Sequence, residues 1–215
     1  MKKTAVIVGV GPGLGKHIAL KFGAMDFRVV LLARKEAALK EYQKDLIKQG
    51  IETNYYQADA ADDVSLKNAF DKIVERFGMM DVLIYNVGVT TLDEKTHIDT
   101  DTLMERYRVD VAGAYTCIRL LDTEEFARKN GAILITGGKL ATQPHFAFLP
   151  LSMDKAALRA MVYAMHPVLK EKGIFLGMVT VMGGIAPGSH FAPEKIAEKY
   201  WELYTDRSKI EVQYD

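Results

Sequence analysis

A glycine-rich string is the clearest chemical signal near the start of the chain. It reads GVGPGLG and follows an apolar, β-branched run. An amphipathic helical pattern comes next, and a turn in that context can bind phosphate. Glycines let the backbone approach a pyrophosphate, and the helix N-terminus supplies N–H groups and a positive dipole end. A purely structural turn is the alternative, but we expect a nucleotide's phosphates to be held by Gly9, Gly11, Gly13, Leu14 and Gly15.

The other reactive residue types predict neither a disulfide nor a metal site. Cys117 is the sole cysteine in the sequence, so no disulfide can form within the chain. A reducing, cytoplasmic location fits this composition. No His, Cys, Asp or Glu cluster has the spacing of metal ligands, so we expect no metal.

Charge and hydropathy argue against two classes of partner. The 28 lysines and arginines balance 28 aspartates and glutamates, so the chain has no excess of positive charge with which to bind nucleic acid. No apolar stretch reaches the about 18 residues that a membrane span needs. We therefore expect a small-molecule partner, with neither nucleic acid nor membrane involved.

Strand-like runs recur along the whole chain, with helical patterns between them. Continuous apolar, β-branched runs are typical of strands buried on both faces of a parallel sheet. The 215 residues contain no linker or repeat. We therefore predict one domain over 1–215, an α/β Rossmann fold with a doubly wound, about seven-stranded parallel sheet and helices on both faces. The predicted strands are TAVIVGV, RVVLLA, TNYYQA, DVLIYN, AILIT, IFLGMVTV and KIEVQY.

Helical periodicity is clearest over 36–49 and 62–77. In the second of these ranges Gly78 follows the last apolar position as a stop signal. A later helix is predicted over about 152–171. Pro167 lies near its end, and since proline lacks a backbone N–H we expect it to kink or end this helix. The apolar face predicted for 62–77 consists of Val64, Ala69, Phe70, Ile73, Val74 and Phe77.

The chain resembles the short-chain dehydrogenase/reductase superfamily over nearly its whole length. The spacing Gly9-x-x-x-Gly13-x-Gly15 is that of the family's glycine motif. QADAADDVSL, YNVG, VDVAGAY, GAILITGGK and SMDKAAL follow in the family's order. The resemblance implies a nicotinamide dinucleotide as cofactor. It places Asp59 beside the adenine, with Ala60, Asn86 and Gly88 also at the cofactor.

The resemblance also bears on which dinucleotide is bound. Members that prefer NAD usually carry an acidic residue after the second strand, where this chain has Ala33 followed by Arg34. An arginine can grip a 2′-phosphate with two hydrogen bonds, so NADP(H) is favoured over NAD(H). Two observations weigh against this: Arg34 can be a solvated loop charge, and Pro12 stands where NADP-binding members often have a basic residue.

The family's catalytic tetrad is largely replaced. Its asparagine, serine, tyrosine and lysine positions correspond to Asp110, Gly138, Leu151 and Lys155. In the family, the tyrosine donates a proton to the substrate carbonyl, the serine orients that carbonyl, and the lysine holds the nicotinamide ribose. Leucine cannot donate a proton at any pH. Lys155 is thus the one retained catalytic residue, and tyrosine-based catalysis is expected to be absent.

Three functions remain open from the sequence. The first is a dinucleotide-binding oxidoreductase that acts on a carbonyl or hydroxyl substrate of unknown identity. The second is a true reductase whose proton comes from water or an unrecognised acid. The third is a non-catalytic dinucleotide-binding sensor or partner subunit. The substitute acids considered are Lys139, Thr142, His145 and His190.

The resemblance also implies self-association. The helices at about 100–121 and 152–171 occupy positions that pair into a four-helix interface in this family. The second helix carries Met161, Met165 and Val168, which we expect to be exposed. A homodimer or homotetramer is therefore predicted.

Overall fold

The computed structural model describes residues 2–92 and 98–215, and within them the predicted α/β Rossmann fold is confirmed. The strands are β1 (Thr4–Val8), β2 (Arg28–Ala33), β3 (Thr53–Gln57), β4 (Val82–Tyr85), β5 (Ala132–Gly138), β6 (Phe175–Val181) and β7 (Glu211–Tyr214). The helices are α1 (Leu14–Ala24), α2 (Glu36–Lys48), α3 (Asp63–Phe77), α4 (Thr100–Tyr107), α5 (Gly113–Leu121), α6 (Glu124–Arg128), α7 (Leu149–Glu171) and α8 (Pro193–Thr205). A π-helical turn, Arg108–Ala112, joins α4 to α5, and two 3₁₀ turns, Lys139–Ala141 and Phe146–Phe148, precede α7.

The sheet has the order β3-β2-β1-β4-β5-β6-β7, and every strand pair in it is parallel. The chain moves outward from β1 through β2 to β3, and then returns to place β4 on the other side of β1. The strand order therefore reverses between β1 and β4. Ligands of such sheets bind in the crevice that opens at this point, outside the carboxyl ends of the strands.

Alternation along β1 explains how one strand supports two apolar layers. Val6 and Val8 face the layer that includes residues of α3, α5, α6 and α7. Ala5 and Ile7 face the layer formed with α1, α2 and α8. Because successive side chains of a strand point to opposite faces, a continuous apolar run is needed when both faces are covered.

The start and end of α3 follow local chemistry. Asp62 caps the helix through a carboxylate oxygen that accepts hydrogen bonds from Val64 N and Ser65 N, at 2.9 and 3.1 Å. Gly78 ends it with φ of 75°, a conformation that side chains disfavour. The predicted face was wrong at Val64, which is 65% exposed. Val64 lies in the capped first turn, and Leu66 is buried instead.

Pro167 does not end α7, which continues to Glu171. The proline lies on the exposed side of the helix, whereas His166 and Leu169 are buried. His166 Nδ1 is 2.6 Å from the carbonyl oxygen of Leu176 on β6. These anchors to the sheet hold the last turn in place, although the backbone hydrogen bond of Pro167 is missing.

The two methionines predicted to be exposed on α7 are half-buried. Met161 and Met165 pack against the core, whereas Val168 is 55% exposed as expected. Among the described residues, no helix is both long and apolar enough to cross a membrane.

Candidate functional site

A cavity of about 380 Å³ lies at the carboxyl ends of the strands, where the strand order reverses. The loops after β1, β2, β3 and β4 all contribute to its wall. Of the predicted cofactor residues, the ones lining it are Gly9, Gly11, Arg34, Asp59, Ala60, Asn86 and Gly88. Residues from four loops, dispersed in the sequence, are thus brought to one crevice.

The glycine-rich turn allows a close approach between β1, α1 and β4. Gly9 has φ of 87°, and a Cβ placed on it would lie 2.7 Å from the carbonyl oxygen of Asn86. A Cβ on Gly15 would lie 3.0 Å from the carbonyl oxygen of Gly9. Any side chain at Gly9 would therefore displace the backbone after β4, next to the cavity.

Three other residues of the glycine-rich turn do not line the cavity: Gly13, Leu14 and Gly15. Gly13 is the N-cap of α1, whose N-terminus has no side-chain cap and no acidic residue in its first turn. Leu14 is buried in the core. The helix thus presents an uncapped positive dipole end to the turn.

The β2 side of the cavity carries two exposed cations, Arg34 and Lys35, and one half-buried acid, Asp59. The Arg34 side chain is exposed, and its guanidinium makes no hydrogen bond or ion pair within residues 2–92 and 98–215. Its carbonyl oxygen accepts a hydrogen bond from Gln57 at 2.8 Å. Asp59 accepts from Ala61 N at 3.0 Å, and its own N–H donates to Ser65 at 3.0 Å. Arg34 is therefore available to an anion, while Asp59 is fixed by its loop.

Lys155 is buried next to this cavity without being part of its wall. Its Nζ donates a hydrogen bond of 2.9 Å to the carbonyl oxygen of Thr136 on β5. A Cβ on Gly88 would lie 3.6 Å from the same Nζ. Burial lowers the pKa of Lys155, and the carboxylates of Asp110 and Asp154 oppose that shift.

The other tetrad positions surround Lys155. A Cβ on Gly138 would lie 3.9 Å from Lys155 Cγ, so a side chain there would face the lysine without a clash. Leu151 is 7% exposed and lies one helical turn before Lys155. Asp110 is fully buried and accepts hydrogen bonds from Val89 N at 3.0 and 3.1 Å. Burial raises the pKa of Asp110, opposed by Lys155 and by the Val89 N–H.

A tyrosine that the sequence analysis did not single out fixes the turn that carries Asp110. The Tyr85 hydroxyl donates a hydrogen bond of 2.5 Å to the carbonyl oxygen of Val109, within the π-helical turn. A Cβ on Gly113 would lie 2.5 Å from the same hydroxyl oxygen. Burial raises the pKa of Tyr85, so this hydroxyl remains a donor. The signal in the sequence was Tyr85 at the end of a buried strand, where its hydroxyl required a partner.

The four substitute acids are all exposed, and the side chains of three of them, Thr142, His145 and His190, contact other residues. Thr142 bonds to the carbonyl oxygen of Lys139 at 3.3 Å, and His145 Nδ1 accepts from Ala147 N at 3.2 Å. His190 is stacked on Tyr214, with ring centroids 5.1 Å apart. None of these contacts involves Lys155.

Asp154 is the most unusual group that the sequence reading missed. It is 1% exposed, and neither carboxylate oxygen has a hydrogen-bond partner in the described part of the chain. Burial, reinforced by the charge of Asp110, raises its pKa to about 7, while Lys155 and Arg106 oppose the shift. Its position in the sequence indicated burial, since it lies three residues after Leu151 and therefore on the same side of α7. No group of three or more potential metal ligands occurs among the described residues.

Comparison with known proteins adds a family and several relatives. Residues 3–192 match the family model described as short chain dehydrogenase. The chain is 30% identical over 197 residues to an uncharacterized oxidoreductase of Thermotoga maritima, covering 92% of this chain and 76% of that protein. It is 27% identical over 175 residues to a diacetyl reductase, (S)-acetoin forming, of Staphylococcus epidermidis, covering 81% and 68%. An alcohol dehydrogenase structure from the archaeon Thermococcus sibiricus, complexed with 5-hydroxy-NADP, is similar with a TM-score of 0.86 at 22% identity, covering 98% and 95%.

Proposed function

This chain belongs to the short-chain dehydrogenase family, and on that premise we propose that it is an oxidoreductase that binds a nicotinamide dinucleotide. The observation that carries the proposal is the cavity at the strand-order reversal, with a glycine-rich turn on one side. Its residues fit such a ligand: a side chain at Gly9 would collide with the backbone, while Gly11 is open. This turn would hold the pyrophosphate, with the uncapped end of α1 behind it.

We infer that NADP(H) is bound in preference to NAD(H). Arg34 is the support for this, because it lines the cavity and its guanidinium has no partner among the described residues. Ala33 precedes it where an acid would repel a 2′-phosphate. The structural neighbour from Thermococcus sibiricus was solved with an NADP derivative, which is consistent with this assignment.

In the proposed reaction the substrate is a small molecule with a carbonyl or hydroxyl group. When bound, the nicotinamide supplies or accepts the hydride. Lys155, anchored to the carbonyl oxygen of Thr136, would hold the ribose. Leu151 offers no proton and Gly138 no hydroxyl, so the proton would have to come from water or from another acid, and the carbonyl would be poorly oriented. We therefore expect slow turnover, because general acid–base catalysis contributes typically 10²–10⁴-fold.

A non-catalytic sensor or partner subunit is the second candidate. The buried hydrocarbon of Leu151 one turn from Lys155 favours it, since binding residues can persist where the proton donor is missing. Both candidates share the dinucleotide site and differ in turnover alone.

Two measurements test the proposal and separate the candidates. Titration with NADPH and NADH, followed by nucleotide fluorescence, tests binding, and absence of binding would refute both candidates. NADPH oxidation over aldehydes, ketones and quinones tests turnover. Slow turnover that depends on Lys155 supports the oxidoreductase, and binding without turnover supports the sensor. Turnover on the order of 1–10³ per second that survives Lys155→Ala would refute the role of Lys155.

A further inference from the structure

A chain of hydrogen bonds runs from the last helix, through the middle of the sheet, to the glycine-rich turn. The hydroxyl oxygens of Tyr200 on α8 and Thr136 on β5 are 2.6 Å apart. Thr136 Oγ1 donates to Asn86 Oδ1 at 3.1 Å. Asn86 Nδ2 donates to the carbonyl oxygen of Gly9 at 3.0 Å. Because the proton of Thr136 is used towards Asn86, Tyr200 must be the donor in the first bond, and every bond points towards the turn.

The Tyr200 hydroxyl has no alternative in solvent. Tyr200 is 0% exposed and Thr136 is 8% exposed. Burial raises the pKa of Tyr200, so the hydroxyl keeps its proton. A phenylalanine would supply the same apolar ring, whereas a buried hydroxyl is tolerated only when it is hydrogen-bonded. The oxygen of Tyr200 therefore serves the bond to Thr136.

Thr136 joins two functional parts of the site. Its hydroxyl orients Asn86 and, through it, the carbonyl oxygen of Gly9, the residue at which the turn adopts its positive φ. Its carbonyl oxygen accepts the hydrogen bond of Lys155 Nζ at 2.9 Å. A change at Tyr200 therefore reaches both the turn and the lysine through one residue.

We propose that Tyr200 is a positioning residue for the dinucleotide, acting through Thr136 and Asn86 on the glycine-rich turn. Tyr200 lies beyond residues 3–192, the part of the chain that the family model matches. The last helix, α8, thus contributes a hydrogen bond to the site in addition to packing against the sheet. This inference rests on the proposed dinucleotide site, and it assigns Tyr200 no contact with the nucleotide.

The test compares Tyr200→Phe with Tyr204→Phe. Tyr204 lies on the same helix and is 8% exposed. Its hydroxyl accepts a 3.5 Å bond from Lys3, which precedes the amino end of β1, whereas the cavity lies at the carboxyl ends of the strands. Loss of the Tyr200 hydroxyl should raise the dissociation constant of NADPH by about threefold to tenfold, as expected for one buried hydrogen bond. Binding of adenosine 2′-monophosphate, which lacks the pyrophosphate, should not change. Tyr204→Phe should leave both constants as in the parent.

A second readout is independent of nucleotide binding. The protein is labelled with ¹⁵N-asparagine and measured without ligand, and the side-chain NH₂ signal of Asn86 is assigned by its loss in Asn86→Ser. This signal should shift in Tyr200→Phe but not in Tyr204→Phe. Thr136→Val should abolish the effect of Tyr200→Phe on affinity, and Thr136→Ser, which keeps the hydroxyl, should preserve it.

The outcomes separate the inference from the proposed function. Parent protein that binds neither NADPH nor NADH would overturn both. Tight NADPH binding in the parent with an unchanged constant in Tyr200→Phe would overturn the inference alone. An unmoved Asn86 signal, or equal weakening of NADPH and adenosine 2′-monophosphate, would also overturn it.

Discussion

The buried carboxyl of Asp154 should make the free energy of unfolding depend on pH in a definite direction. It has no hydrogen-bond donor among the described residues, and Asp110, Lys155 and Arg106 are the charged groups that act on it. The proposed perturbation is Asp154→Asn, which keeps the shape of the protonated acid and removes its titration. The expected effect is stabilisation of the variant at alkaline pH relative to the parent.

The magnitude follows from the two pKa values. Asp154 in the folded protein has a pKa of about 7, against about 3.9 in an unfolded chain. Between these values the native state binds more protons, so the parent loses stability as pH rises. At about 1.36 kcal/mol for each pKa difference of one, full ionisation destabilises the fold by about 4 kcal/mol. The contribution of protonated Asp154 to the stability of the folded state is fully present below pH about 4 and is lost as pH rises through about 7.

Urea unfolding at a series of pH values from 5 to 8.5, at one protein concentration, measures this effect. The difference between variant and parent should grow with pH and level off above pH about 8. Asp101→Asn, a change at an exposed aspartate in the first turn of α4, is the control for removal of a carboxylate elsewhere. Parallel curves for Asp154→Asn and parent would refute the reasoning, because they would mean that Asp154 is ionised equally easily in both states.

The remaining predictions concern the cofactor, the catalytic positions and assembly. Arg34→Ala should remove most of an NADPH preference of about 1.5–3 kcal/mol, whereas Lys44→Ala on the outer side of α2 should not; equal affinity of the parent for NADPH and NADH would contradict the assignment. Lys155→Ala should weaken NADPH binding by roughly tenfold or more, measured by fluorescence titration, and an unchanged constant would remove its role at the ribose. Leu151→Tyr alone should raise NADPH oxidation little, whereas its combination with Gly138→Ser and Asp110→Asn should raise it more than the product of the single effects, because such groups act as a unit. The protein should be a dimer or tetramer by light scattering at micromolar concentration, and a monomeric mass would contradict this.

The fold was predictable because its signals are local and repeated. The strand runs around Val6 and Val30 are apolar on both faces, which few structures other than a covered parallel sheet explain. Boundaries were less predictable, because tertiary contacts decide them. Val64 looked apolar in the pattern but lies in a capped first turn, and Pro167 looked like a stop but is followed by a helical turn that His166 and Leu169 anchor.

The site was predictable to the extent that it consists of motifs. Gly9, Arg34 and Asn86 line one cavity; the glycine-rich turn indicated the first of them, and the family resemblance indicated the other two. Tyr200 and Asp154 could not be found in this way, because their significance depends on partners far away in the chain, or on the absence of a partner. A periodic pattern gives the burial of such residues but not the atoms that face them.

The charge balance around Lys155 favours a retained binding function. Two carboxyls and one amine, from Asp110, Asp154 and Lys155, are buried together, and replacing buried charged groups by apolar residues is often neutral or stabilising. Packing alone therefore gives no reason for the cluster. With a proton on Asp154, Asp110 and Lys155 form a neutral pair, and Lys155 Nζ stays bonded to Thr136 beside the cavity. Deprotonation of Asp154 adds a second negative charge next to the lysine. Nucleotide affinity and the free energy of unfolding should therefore change over the same pH range, because both depend on this one carboxyl.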